Sequence, residues 1–307
     1  MRQRRLPSTK MIINKFFPYL MIAPTILILG ILIFYPLVVG IRLSFFDYNL
    51  MFPIRPFVGL KNYFLLLGDR RFIFLLWNTI LFALLSVAFS TLLGLLIALF
   101  LNRRSRVTGV YRAISFIPWI TPSVVVSFVF AWIFNKSFSP VNSFLVRVSL
   151  IDEPVAFLGD FAVKFLGLSL PFWSVLAVRT WTQFPFKMVM FLAALQTIPQ
   201  DLYDAAKIDG ANKIQQFRFV TFPYILPVAT LVISLSLIWN LALFDINFLM
   251  TSGGPYDLTN VVPIFIYNEA FVHYRMGLAS AAGAIILIFA SIIGLIYLRL
   301  MRREVSL

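Results

Sequence analysis

Ile198-Pro199-Gln200-Asp201-Leu202-Tyr203-Asp204-Ala205-Ala206-Lys207-Ile208-Asp209-Gly210-Ala211 is a long hydrophilic interruption in a chain otherwise apolar enough to live in lipid. Pro199 and Asp201 are helix-start signals, because proline suits the first turn and an aspartate oxygen accepts from free backbone N–H groups. Gly210 is the stop, since a left-handed residue closes a helix end at little cost when it carries no Cβ. Between them lie about eight residues of helix, roughly 12 Å at 1.5 Å per residue. A helix this short is marginal alone in water. Leu202, Ala205 and Ala206 share one side at i, i+3, i+4, a small-residue face suited to another protein's groove. The stretch therefore reads as a docking element rather than a linker.

The surroundings fix the class. Of 307 residues, 61% are hydrophobic and 12% charged, with a mean hydropathy of +0.92. A soluble domain carries about 25% charged residues, so this is a polytopic, all-α membrane protein. Cysteine is absent, which excludes a disulfide framework and thiol chemistry. The net charge of +14 does not point to nucleic acid. Basic residues fall between apolar runs and form no stripe with interleaved aromatics, so membrane orientation accounts for them.

Six apolar spans are expected, at 21–41, 72–101, 113–134, 171–197, 224–250 and 277–298. The first is too long for a signal-peptide core and lacks a small-residue cleavage site. The resulting division is a tail at 1–20, a six-helix membrane domain at 21–300 and a tail at 301–307, with both termini on one side. The segments on that side (1–20, 102–112, 198–223 and the C-terminal end) hold 15 Lys and Arg against 4 acids, and the opposite loops 8 against 7. Positive charge stays inside, which places both termini and the 198–223 loop in the cytoplasm. Pro118 and Pro122 should bend or break span 3, and Pro185 should do the same in span 4. Gly277 to Ala284 brings small residues to close helix packing.

Polar residues inside the spans are candidates for chemistry. Span 4 places Arg179, Thr182, Gln183 and Phe186 at i, i+3, i+4, i+7; span 5 does so with Ser236, Trp239, Asn240 and Leu243, with Asn247 one turn further. Hydroxyls, amides, a guanidinium and aromatic rings projecting inward suit a polyhydroxylated ligand. The same residues also serve as hydrogen-bonding glue between helices, and the residues alone leave both readings open. Arg179 and Lys187 are costly in a bilayer; Asp245 is expected to neutralise one of them, with a proton-relay carboxylate as the other reading. The chain has no Gly-rich loop ending Gly-Lys-Ser/Thr, so it is not expected to hydrolyse ATP. It has no His-Glu-x-x-His or aspartate cluster, and its one histidine, His273, falls in an outer loop. No metal site is expected, and a membrane enzyme is disfavoured.

Asp204-Ala205-Ala206-x-x-x-Gly210, with Val220-x-Phe222-Pro223 beyond it, resembles the cytoplasmic signature loop of ABC importer permeases. The usual pattern is Glu-Ala-Ala, three residues, Gly, nine residues, then Ile-x-Leu-Pro. The spacing here is intact, with Asp204 one methylene short and Val220 and Phe222 in place of Ile and Leu. Ile198-Pro199, Asp209-Gly210-Ala211, Phe244-Asp245, Thr251-Ser252-Gly253-Gly254-Pro255 and Pro118-Trp119-x-x-Pro122 resemble the carbohydrate-uptake, maltose-type branch. The resemblance spans about residues 16–300. It implies the ABC type I importer permease fold in a bacterial or archaeal plasma membrane, surrounded by lipid. It implies a second permease subunit, two ATP-binding cassette subunits and an extracytoplasmic substrate-binding protein as partners. ATP and magnesium would bind the cassette subunits, with no cofactor on this chain. Asp204, Ala205, Ala206, Asp209 and Gly210 would couple to the ATPase. In that branch sugar is held by the two helices flanking the loop, and the matched positions are Arg179, Thr182, Gln183, Phe186, Ser236, Trp239 and Asn240. Arg179 stands where a neutral amide is usual, which brings an anionic substrate, such as glycerol phosphate or an acidic sugar, into view beside neutral sugar. An ion-coupled secondary transporter is the competing class, and it would show repeated halves, which are not evident here.

Overall fold

The computed structural model describes residues 9–102 and 108–304. Arg2, Arg4, Arg5, Arg103, Arg104 and Arg106, on which the orientation reading leans, lie outside the described residues. The first apolar rod joins α1 (Thr9–Leu29), a π-helical turn (Gly30–Phe34) and α2 (Tyr35–Leu43). α3 (Lys61–Gly68) leads into α4 (Arg70–Leu101). α5 (Thr108–Ile120), α6 (Ser123–Ile133) and α7 (Pro140–Arg147) follow. A small antiparallel hairpin pairs β1 (Lys164–Phe165) with β2 (Leu168–Ser169), Phe165 opposite Leu168. Then come α8 (Leu170–Gln196), α9 (Gln200–Ile208) and α10 (Lys213–Gln216), which runs through a π-helical turn into α11 (Phe222–Leu241). α12 (Asp245–Thr251), α13 (Val262–Tyr267) and α14 (Met276–Glu304) complete the described chain.

Among the described residues, four helical runs are long and apolar enough to cross a bilayer: Tyr19–Leu43, Arg70–Leu101, Lys213–Leu241 and Met276–Arg299. α5 and α6 make a fifth as a bent pair. α8 has the length, about 40 Å at 1.5 Å per residue, but Arg179, Thr182, Gln183 and Lys187 make its middle too polar to qualify on composition. The count is therefore four or five rather than the expected six, and the shortfall falls on the helix that carries the polar ladder.

Proline has different consequences in two places. At Pro118 and Pro122 the chain turns by 93° between α5 and α6, as lost N–H donors and ring clashes dictate. Pro185 does not break α8, which runs on unbroken from Leu170 to Gln196. Span 5 also departs from expectation. α11 ends at Leu241, residues 242–244 leave the helix, and α12 starts with Asp245 in its first turn, where free N–H groups favour a carboxylate. Leu243 and Asn247 therefore do not extend the face of Ser236, Trp239 and Asn240. Asn247 instead donates to Thr259 O at 3.0 Å.

α4 and α8 form the spine. A Cβ on Gly94 would meet Lys187 Cβ at 2.9 Å and, at 3.0 Å, both Met188 N and Phe184 O, so the helices are in backbone contact and only glycine fits. Around this spine, Ala98, Met188, Phe191, Leu195 and Ile225 form one buried cluster. Phe82, Val126, Phe172, Val175 and Ile246 form a second. Ala281 and Ala282 of α14 sit in a third with Phe72 and Val262, which is the packing role expected of the small residues there.

Candidate functional site

α9 is a nine-residue helix that starts after Pro199, with Asp201 in its first turn and no side-chain cap. It stops as predicted. Gly210 takes φ +77°, its N–H donates to Lys207 O at 3.0 Å, and Ala211 N–H reaches Ala206 O at 2.8 Å. This paired closure satisfies carbonyls that a helix end leaves free. The expected outward face of Leu202, Ala205 and Ala206 is split. Leu202 and Tyr203 pack against the Ala98–Met188–Ile225 cluster, Tyr203 Oη lies 2.9 Å from Thr221 Oγ1, and Ala206 is half-buried. Asp204, Ala205, Asp209 and Gly210 are exposed, and Ile208 is 87% exposed. Periodicity located the amphipathic rod but assigned its apolar side to a partner, when the protein's own core uses most of that side. Asp204 accepts from Lys207 Nζ at 2.8 Å and from Gln200 Nε2 at 3.3 Å. Those contacts, Lys207 foremost, hold its carboxyl below the usual range.

The second constellation lies where α4, α5, α8 and α11 meet. Asn240, buried on α11, is its hub. Its Oδ1 accepts from Arg179 Nε at 2.9 Å and from Ser86 Oγ at 3.3 Å; its Nδ2 donates to Gln183 Oε1 at 3.0 Å and to Ser236 O at 2.7 Å. Three of its hydrogen bonds reach α4 and α8, and the fourth stays within α11 on the carbonyl of buried Ser236, which uses the amide's capacity fully. Lys187, fully buried, donates to Val87 O at 3.3 Å and to the Ser90 hydroxyl of α4. The expected pairing of Asp245 with Arg179 or Lys187 does not form: Asp245 makes no ion pair among the described residues. Lys187 is served by α4 oxygens instead, and Asp245 by the start of α12.

Arg179, Thr182 and Gln183 face a cavity of about 190 Å³ whose other walls are Pro118, Trp119, Thr121, Ser123 and Ile246. Beside it, Trp119 stacks on Phe186 with ring centroids 5.0 Å apart and planes 19° from parallel. Trp239 closes the group at 5.5 Å from Phe186 and 6.4 Å from Trp119. The seven sequence-predicted residues therefore separate. Asn240 joins helices, Ser236 is buried and its carbonyl accepts from Asn240 of its own helix, Arg179, Thr182 and Gln183 line a polar cavity, and Phe186 and Trp239 build an aromatic wall. Trp119 was missed, because only the packing of α5 on α8 brings it against Phe186. Ser86 and Ser90 were missed too, although their i, i+4 spacing in span 2 was a signal. A larger recess of about 440 Å³ between α4 and α8 is lined by Phe89, Leu92, Leu96, Trp173, Trp181 and their apolar neighbours, with Thr180 its one hydroxyl. That lining offers a hydroxylated ligand no polar array.

A long-helix membrane body with a short capped rod beside it and a polar, aromatic-walled cavity within it has clear relatives. Residues 90–306 match the family model described as "Binding-protein-dependent transport system inner membrane component", and the chain belongs to that family of ABC importer permeases. It is 35% identical over 284 residues to the inner membrane ABC transporter permease protein YcjO of Escherichia coli, covering 90% of this chain and 92% of that protein. It is 34% identical over 288 residues to the trehalose/maltose transport system permease protein MalF of Thermococcus litoralis, covering 92% and 93%. Its fold is similar to a chain of a bacterial ABC transporter involved in the import of the acidic polysaccharide alginate, with a TM-score of 0.81, 24% identity and coverage of 95% and 97%.

Proposed function

We propose that this chain is a transmembrane subunit of an ATP-driven, binding-protein-dependent importer of a sugar or oligosaccharide, working by alternating access. The observation that carries the coupling role is α9: its inner face is anchored on the core while Asp204, Ala205 and Ile208 face outward with no protein against them. A rod held this way transmits displacement. A partner ATPase dimer that binds it differently in its open and closed states shifts the permease between them, whereas equal contact in both would shift nothing. ATP and magnesium reside on those ATPase subunits and none is needed on this chain. A second permease subunit, most simply a different chain, pairs with this one in the plasma membrane, and an extracytoplasmic binding protein delivers the substrate. α8 counts as the sixth span, its polar middle covered by α4, α5 and α11, and both termini and α9 lie in the cytoplasm.

Sugar as cargo is supported by the trehalose/maltose transport for which the Thermococcus relative is named and by the cavity itself. Thr182, Gln183 and Arg179 offer fixed donors and acceptors to hydroxyls, and Trp119, Phe186 and Trp239 offer ring faces for the apolar side of a pyranose. The coupling role is tested by Asp204→Lys in the complete complex reconstituted in vesicles. The expected result is loss of ATP-dependent uptake with all subunits still co-purifying; normal uptake by that variant overturns the reading.

A further inference from the structure

Arg179 is a positive charge midway along a helix whose neighbours do not neutralise it. Its Nε is engaged by Asn240 Oδ1. Its two terminal nitrogens have no hydrogen-bond partner among the described residues, and it joins none of the ion pairs there. Nor are those nitrogens sealed away: among the described residues the buried side-chain polar atoms without partners are Thr91 Oγ1, Arg112 Nε, Asn247 Oδ1 and Asn260 Oδ1. Arg179 instead lines the polar cavity with Thr182 and Gln183. Lys187, about two turns along the same helix, shows the contrast, since it is fully buried and its ammonium is satisfied by α4. A charge inside a membrane domain is costly unless it is paired, and ionisable groups kept there mark substrate pathways.

We propose that the saccharide carried by this permease bears one carboxylate substituent, which the free edge of the Arg179 guanidinium receives. The proposal rests on the importer reading above and narrows its substrate class. The geometry suits it: with Nε held by Asn240, the plane of the guanidinium is fixed and its two terminal nitrogens present a parallel pair of donors that match two oxygens of one anion. The stacked Trp119 and Phe186 rings lie beside the same cavity, so a sugar ring can lie on them while its acidic group meets Arg179. One guanidinium carries a single positive charge, so a singly charged group matches it better than a dianionic phosphate.

The test uses the complete transporter in nanodiscs, titrated while tryptophan emission is followed, with uptake measured in parallel in vesicles. The probes are pairs differing only at C6: glucuronate with glucose, galacturonate with galactose, mannuronate with mannose; glucose 6-phosphate is added as the dianion. At least one uronate is expected to bind about tenfold to a hundredfold more tightly than its neutral partner, the range of a charge-assisted hydrogen-bond pair. Arg179→Gln is expected to bring that ratio to about one, and Arg179→Lys to restore part of it. No preference in the unaltered protein, a ratio that survives Arg179→Gln, or tighter binding of glucose 6-phosphate than of every uronate overturns the proposal. The first and last of these need no variant, so misfolding cannot mask them. Neutral sugars bound and imported without a charge preference sink the charge assignment alone. If the transporter binds and imports none of these sugars, the saccharide reading falls and takes the charge assignment with it.

Discussion

Replacing Asn240 by leucine keeps the number and branching of the side-chain heavy atoms and removes four hydrogen bonds at once. Because no cavity is created, the effect separates the polar joint from cavity formation. Three groups lose their partner: Arg179 Nε, Gln183 Oε1 and Ser86 Oγ; the Ser236 carbonyl keeps its place in the α11 ladder. Neutral hydrogen bonds between membrane helices contribute about 0.6 kcal/mol each, and one to a charged group about 1.5–3 kcal/mol. Two of the first kind and one of the second give a destabilisation of about 3–4 kcal/mol. The assay is unfolding of the purified complex in mixed micelles titrated with SDS. Asn240→Asp serves as the companion variant: it keeps an acceptor for Arg179 and should lose distinctly less. If Asn240→Leu unfolds within about 0.5 kcal/mol of the parent, or if Asn240→Asp is the worse of the two, the hub does not hold these helices together.

Gly94→Ala should destabilise by about 1–3 kcal/mol, the usual range for overpacking, because two of the three atoms its methyl would meet are backbone; the same titration reads it, and an unchanged midpoint would refute the close approach of α4 and α8. Asp257 accepts two hydrogen bonds from Arg71, at 2.7 and 3.1 Å, which holds its carboxyl below its ordinary value of 3.8. A carboxyl lowered on folding stabilises above its unfolded pKa and loses that contribution as pH falls through the folded value. The parent should therefore lose up to about 1 kcal/mol on acidification below about pH 4, the ceiling for a partly exposed pair, and Asp257→Asn should lack that component when melting is followed from pH 6 to pH 3.

Much of this molecule was legible because lipid imposes simple rules. Apolar runs gave the long helices, Gly210 gave the end of α9, and Pro118 with Pro122 gave the 93° turn. What stayed hidden depended on contacts between distant segments. The composition of α11 carries on past Leu241, so nothing local announced the break before Asp245. Asn240 looked like a ligand contact because its position on a face is visible in sequence, whereas its four partners on α4, α8 and α11 are not. Trp119 read only as part of the Pro118-Trp119-x-x-Pro122 pattern, since the packing of α5 on α8 that brings its ring to Phe186 is not visible in sequence. The inner face of α9 was misassigned for the same reason: a short amphipathic helix does not say which neighbour covers it.

The engagement of Lys187 by Ser90 and Val87 bears on how the chain enters the membrane. A segment with an arginine and a lysine near its middle carries about 2.5–3.5 kcal/mol against insertion for each, so α8 is a poor solitary traveller at the translocon. α4 emerges earlier from the ribosome and brings the oxygens that Lys187 requires, together with the glycine notch that lets the two rods touch. The order of segments along the gene is therefore part of the assembly programme: moving α4 behind α8 would leave a lysine stranded in hydrocarbon, even though every contact of the finished protein remained available.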